Sequence, residues 1–304
     1  MSGGKTIHLY LDAGLLRRVA GGKQNFFAQL TGALEDLGHR VKLHRSTPWQ
    51  RGAARFRQGF SLTHMESPTG PVGLTCRLAY AYPFWKIEKT AQRWKFDVAK
   101  AAFDPAAVDT DKAHAFVGRT RRREYRWMAA RSDAPDLIYI ALQGQLQKQR
   151  SFQSDSPLGM VRRTLAAFPD DPVRIGLHPK ETYAPGELNA LADLMEGHRT
   201  AQLAEESLEM LLPRTRLVVT ENSSVAFKGF FMGIPAVTFA RIDFHHIAAS
   251  AEIHADAVFQ TALDARPAYD KYLYWFLQEQ AINAGRPDVR DRITARLRAL
   301  GWDI

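Results

Sequence analysis

The chain has one cysteine among 304 residues, no repeat and no low-complexity stretch, and each absence removes a class of protein. Cys76 alone allows no internal disulfide and no cysteine-rich metal cluster, which points to a reducing compartment. No apolar run reaches the roughly 18 residues of a membrane-spanning helix. The first twenty residues, MSGGKTIHLYLDAGLLRRVA, carry charges where an export signal needs an apolar centre, so a cytoplasmic location is expected. What is present, 45% hydrophobic and 24% charged residues with 21 Gly and 15 Pro, excludes a disordered or collagen-like chain. The length suits two domains of about 150 residues, each with its own core.

The net charge is +9, and its distribution is uneven. Residues 51–131 hold 16 Lys and Arg against 7 Asp and Glu, while the rest of the chain balances at 25 against 25. Arg51, Arg55, Arg57, Lys86, Lys89, Arg93, Lys95, Lys100, Arg119, Arg121, Arg122, Arg123 and Arg126 are interleaved with Trp85, Trp94 and Trp127. Such a segment is expected to attract a polyanion: anionic lipid, a phosphorylated lipid acceptor, an acidic glycan or nucleic acid. A set of solvated helix faces would carry the same charges.

Alternating signals give the organisation. Ile7–Leu11 reads as a strand, a loop with Gly14, Gly21 and Gly22 follows, and residues 25–37 repeat apolar side chains at helical spacing. Gly38 can end that helix in a left-handed conformation, and residues 40–44 alternate as a second strand, completing a βαβ unit. Residues 48–131 are broken by Pro48, Pro68, Pro71, Pro83 and Pro105 and read as helices and loops. Beyond the turn-rich junction at 132–136, strands are expected at 137–142, 173–177, 217–220 and 236–239, with helices at 157–168, 186–195, 204–212 and 224–232. An aromatic helix over 268–284 and a basic one over 289–300 close the chain. The reading is α/β, with domains at 1–134 and 135–267 and C-terminal helices at 268–304.

In a doubly wound sheet, ligands lie beyond the carboxyl ends of strands, so the residues after each strand bear the chemistry. His178 follows the strand in Leu177-His178-Pro179-Lys180, and Pro179 holds its backbone extended. A histidine there can equally be a satisfied surface residue. The second strand end, Thr220-Glu221-Asn222-Ser223-Ser224, breaks into small polar residues just before a helix. Asn222 or Ser223 would make an ordinary N-cap, and the same geometry offers N–H groups and hydroxyls to a phosphate. Together the two motifs would converge on one anion, and a nucleotide phosphate fits both. His245 and His246 beside Asp243 do not suit a metal, since neighbouring histidines diverge, and His254 does not complete a set. Gly21-Gly22-Lys23 lacks the spacing of a phosphate loop.

Leu142-Gln143 with Ser151–Pro157, Leu177–Lys180, Leu212-Pro213-Arg214, Val219–Ser224 and Gly233–Thr238 together resemble the capsule polysaccharide biosynthesis proteins, which include bacterial β-Kdo transferases using CMP-Kdo. The His-Pro and Ser-Ser motifs are also similar to those of bacterial sialyltransferases of the GT-B fold. The resemblance spans residues 137–245, about a third of the chain. It implies two Rossmann-like domains facing a cleft and an inverting, metal-independent glycosyltransferase with no cofactor beyond its nucleotide-sugar donor. That donor would be CMP-Kdo or a similar CMP-linked ulosonic acid, and the acceptor a glycan or glycolipid in surface polysaccharide synthesis. His178, Pro179 and Lys180 would meet the donor phosphate, and Ser223 and Ser224 would hydrogen-bond it. Asn222 and Glu221 would flank the pocket, Glu221 near the ribose hydroxyls.

The acceptor's base would come from the amino-terminal domain. Asp12, after the first strand in Leu11-Asp12-Ala13-Gly14, matches the first position of the sialyltransferases' acidic-acidic-glycine motif. Ala13 departs from the second, and Asp12 could equally be a cap; Glu66 and Asp155 are alternative bases. Gln143–Gln147 stand where the Kdo transferases carry a carboxylate. The enzyme would sit peripherally at the inner membrane, its basic segment on anionic lipid or the growing glycan, and nucleic acid is not expected as its partner. Two other readings are a non-catalytic basic α/β protein that binds polyanions or nucleic acid, and a degenerate transferase that only binds nucleotide.

Overall fold

Twelve strands form two six-stranded sheets among the residues that the computed structural model describes, 4–70, 72–126 and 130–304. In chain order they are β1 Thr6–Leu11, β2 Arg40–Arg45, β3 Phe60–His64, β4 Leu74–Leu78, β5 Phe84–Glu88 and β6 Leu137–Ala141, then β7 Val173–Gly176, β8 Ala201–Leu203, β9 Thr215–Thr220, β10 Ala236–Thr238, β11 Ala249–Ser250 and β12 Ile282–Asn283. The chain divides into two compact units, Met1–Ala101 with Trp275–Ile304, and Ala102–Tyr274.

The first unit carries the sheet β12-β5-β4-β3-β1-β2, parallel from β1 to β4 and antiparallel at β5 and β12. The expected opening βαβ is present, with one change: residues 13–20 form a helix, α1 (Ala13–Ala20), in place of a glycine loop. Asp12 starts it by accepting the Leu15 N–H, and Leu15 then buries against the sheet. In α2 (Asn25–Asp36), Phe26, Phe27, Leu30, Ala33 and Leu34 are all buried, the one-sided pattern that made this helix legible. Gly38 has φ 81°, as the end of that helix requires.

The middle of the sequence departs from its reading as helices and loops. Residues 60–64, 74–78 and 84–88 are strands, and the prolines mark their approaches: Pro48 opens α3 (Pro48–Ala53) at its first turn, and Pro83 immediately precedes β5. Pro71 and Trp127 lie outside the described residues. Each strand has only five residues, too few for alternation to stand out, and all five of β5 are buried, so its aromatic and charged side chains gave no two-faced pattern. Trp85 is core: it stacks on Phe26 at 4.5 Å between ring centroids. Lys86 is buried too, its Nζ donating to the Gln280 carbonyl and lying over the Phe276 ring.

The expected boundaries at 134/135 and 267/268 differ from the compact units. The C-terminal tail completes the first unit, because β12 pairs with β5 and the helix Val289–Ala299 buries Val289, Ile293 and Leu297 in the same core as α2. The helix Thr110–Glu124 belongs instead to the second unit, beside Tyr269–Tyr274. The basic stretch 51–131 is therefore shared between two units, with part of it buried.

The second unit has the order β11-β10-β9-β6-β7-β8, every pairing parallel. All five residues of β6 are buried, as a central parallel strand covered on both faces demands. Helices Pro157–Ala167, Pro185–Glu196 and Ser224–Phe230 fall where periodicity put them. The helix expected at 204–212 is only Leu208–Leu211 with the turn Leu212–Arg214; residues 204–207 are irregular and lead out of edge strand β8, which pairs with β7. The aromatic tail helix is likewise short, Tyr269–Tyr274 followed by a π-helical turn at Trp275–Glu279.

Candidate functional site

Both sheets contain a point where strand order reverses, the place at which doubly wound sheets take their ligands. In the second unit β6 is followed by β7 and β8 on one side and by β9, β10 and β11 on the other, so the reversal falls between β6 and β9. Thr220 fixes this point: its hydroxyl donates to the Ala141 carbonyl at the end of β6 and accepts the Ser223 N–H. The Glu221–Ser224 turn is thereby tied to its neighbour strand.

Because the sheet is parallel, His178 after β7 and Ser223-Ser224 after β9 stand at the same end of it, one on each side of β6. His178 is half-buried, and its Nδ1 accepts the Lys180 N–H at 3.2 Å. A neutral ring so held carries its proton on Nε2, leaving a donor for a ligand. The His178 backbone N–H donates to the Tyr183 hydroxyl, which steadies the turn. Pro179 and Lys180 are exposed. Ser223 caps its helix, accepting the Val225 N–H at 3.3 Å, so the capping expectation holds, while its own O–H stays available to donate. Ser224 is exposed and Asn222 is buried.

Glu221 departs from a position open to ribose hydroxyls: it is 0% exposed. Its Oε1 accepts from Gln153 Nε2, and Arg150 lies 3.9 Å from Oε2. Burial pushes this carboxyl up to about 7, with Arg150 pulling the other way. The loop after β6 covers it, pinned to the end of β10 where Ser154 N–H donates to Phe239 O and Arg241 N–H to Phe152 O. As placed, Glu221 holds that loop rather than facing a ligand. Gln153 stands in the Ser151–Pro157 motif without a role there, and Arg150 just before it, because Glu221 is 68 residues from Gln153 and only the fold joins them.

The first sheet reverses between β1 and β3. Asp12 follows β1 and His64 ends β3; their Oδ2 and Nδ1 are 3.5 Å apart. Oδ1 of Asp12 accepts the Leu15 N–H at 2.9 Å, so the residue is both a cap and one of a pair. Its side chain is 61% exposed against 14% for His64, so the carboxylate is reachable and the imidazole backs it. The Leu15 N–H holds the Asp12 carboxyl below its ordinary value, with His64 adding to the effect. Burial lowers His64, opposed by Asp12, so the imidazole is neutral near pH 7. Its ring lies near Phe27 and Trp85. Sequence reasoning missed His64 because β3 went unread.

The alternative bases are otherwise engaged. Asp155 Oδ1 accepts the Ser156 N–H at 2.7 Å and its carboxylate lies against Gly159 in the first turn of Pro157–Ala167; Glu66 pairs with Arg51 at 3.5 Å. His245 and His246 stack on each other and bond to Ile242 O and the Tyr272 hydroxyl. Among the described residues no three His, Cys, Asp or Glu gather as metal ligands, and no helix is long and apolar enough to cross a membrane.

Fold and site together define an α/β protein of two Rossmann-like units, each with polar side chains at the carboxyl ends of its parallel strands. No family model matches the sequence, nor does any curated protein. Two solved structures are similar over most of the chain: the β-Kdo 2,7 transferase of Thermosulfurimonas dismutans KpsC (TM-score 0.52, 13% identity, 88% of this chain and 89% of that one), and the β-Kdo 2,4 transferase of the same protein (TM-score 0.50, 12% identity, 88% and 89%). At that identity the likeness is one of fold, and it falls on the group of proteins that the motifs resemble.

Proposed function

We propose that this protein is a glycosyltransferase that uses a nucleotide sugar, CMP-Kdo or a similar CMP-linked ulosonic acid, to extend a surface glycan or glycolipid. The observation that carries this reading is the placement of His178 and Ser223-Ser224 at one end of one parallel sheet, on either side of its first strand. The shared fold with two β-Kdo transferases supports it, as do the ordered motifs of residues 137–245.

On this reading His178 Nε2–H and the hydroxyls of Ser223 and Ser224 donate to the donor's single phosphate, and the Lys180 ammonium adds positive charge. As the bond from the anomeric carbon to the phosphate oxygen breaks, these groups stabilise the charge left on CMP. The acceptor oxygen bonds to the anomeric carbon and its proton passes to a base, for which the Asp12–His64 pair is the candidate. A single displacement inverts the anomeric carbon. A phosphate already met by donors and a cation does not strictly need a divalent metal for this departure.

The test is a thermal-shift comparison of CMP, UDP, GDP and ADP with the purified protein, followed by NMR of the anomeric configuration of any product. Selective stabilisation by CMP is expected. Preference for UDP would discard the ulosonic-acid donor; no nucleotide response, with salt-sensitive stabilisation by RNA or DNA, would replace the reading by a polyanion-binding one.

A further inference from the structure

Of the tryptophans in the basic segment, Trp85 is buried and Trp94 half-buried, but a different aromatic patch is exposed. Trp49 is 74% exposed, Phe56 82% and Met65 55%. Trp49 and Phe56 are seven positions apart along α3 and the helical turn Ala54–Phe56, which places them two turns apart on one side, while Ala54 on the other side is buried. Met65 follows the last residue of β3, and the contact between Arg51 and Glu66 links its loop to α3.

Residues 37–65 contain six Lys and Arg and no Asp or Glu. Arg57 is committed to Tyr10 and Gln50, and Arg51 to Ser46 and Glu66. Arg45 and Arg55 are exposed, Arg55 with its guanidinium 5.2 Å from the Phe56 ring centroid. Arg45, Trp49 and Met65 stand at or just after the carboxyl ends of β2 and β3, the end of the sheet that bears Asp12, while Arg55 and Phe56 close the crossover that leads back to the start of β3.

We propose that this edge of the first unit, with Trp49 and Phe56 inserting and Arg45 and Arg55 at headgroup level, docks on an anionic lipid bilayer. Charge alone would suit any polyanion, but an acidic glycan or a nucleic acid offers Phe56 and Met65 no apolar layer to enter. A bilayer interface satisfies both chemistries, and an indole is at home at its headgroup level. The proposal deepens the acceptor side of the transferase reading, since an acceptor carried on a lipid would arrive at the sheet end that bears Asp12. It can fail while that reading stands.

The experiment is flotation of the full chain with vesicles of phosphatidylcholine alone and of phosphatidylcholine with about 30% phosphatidylglycerol. Binding is expected only to the anionic vesicles and weakens as salt rises. The Trp49→Ala/Phe56→Ala double variant should lose at least about tenfold in binding. Arg45→Ala/Arg55→Ala should lose the preference for anionic lipid. Unchanged melting temperature and an unchanged CMP response in the variants show that the fold and donor site are intact. No vesicle binding by the wild type, or equal binding by the aromatic double variant, overturns the proposal. So does a dimer, or binding to single-stranded RNA, that needs the same two aromatics while vesicles are ignored.

Discussion

Asp12 Oδ2 and His64 Nδ1 face each other at 3.5 Å across the point where the first sheet reverses its strand order. Only the carboxylate of this pair is well exposed, and the imidazole behind it is neutral. If they form the base, Asp12→Asn should lower turnover by about 10²–10⁴-fold with the CMP-induced thermal shift intact. His64→Asn should reduce turnover less. Activity should persist somewhat below pH 6.5 and fall once acid protonates the ring, because burial lowers the His64 value. Full turnover in both variants would move the base elsewhere.

His178 is expected to act on the donor. Removing one charge-assisted hydrogen bond costs about 1.5–3 kcal/mol, so His178→Ala should weaken CMP binding roughly 10–100-fold, read by calorimetry. Asp12→Asn leaves that affinity unchanged, which separates the two roles.

Glu221 gives a pH signature in the second unit. Its carboxyl titrates near 7 in the fold against 4.5 as its ordinary value, so the folded state prefers the protonated form. The stability this contributes is complete below 4.5 and is lost as pH rises through 7. Glu221→Gln should therefore leave melting near pH 5 little changed and stabilise the protein at pH 8, by at most roughly 3 kcal/mol, the attraction to Arg150 being already contained in that shift. Melting curves at the two pH values check it.

The first unit has the opposite dependence. His8 Nδ1 and His44 Nε2 are 2.9 Å apart, and His44 stacks on Tyr10 beside Arg57. Burial lowers both rings, with Arg57 adding to the effect, and His44 falls to about 4 from 6.5. A lowered folded value means stability that is present above pH 6.5 and lost as pH falls toward 4. The melting temperature should drop over that window, and His44→Asn should flatten the slope. A slope unchanged by that substitution would assign the acid sensitivity to other groups.

Residues with local signatures were legible from the chain alone. The one-sided apolar spacing of α2, the continuous apolar run of β6 and the small polar turn at Glu221–Ser224 each declare themselves within a dozen neighbours, because helix period, double burial and capping are short-range demands. From these followed the α/β class, the opening βαβ and the two strand ends carrying His178 and Ser223.

The tertiary structure decided what joins distant segments. Whether Trp85 faces water or Phe26, whether the tail pairs with β5, whether Glu221 meets a ligand or Gln153, and that His64 backs Asp12 all depend on long-range packing. No window of sequence encodes such pairs: a side chain's surroundings, and with them its burial and charge state, are fixed only when strands far apart in the chain come to lie side by side.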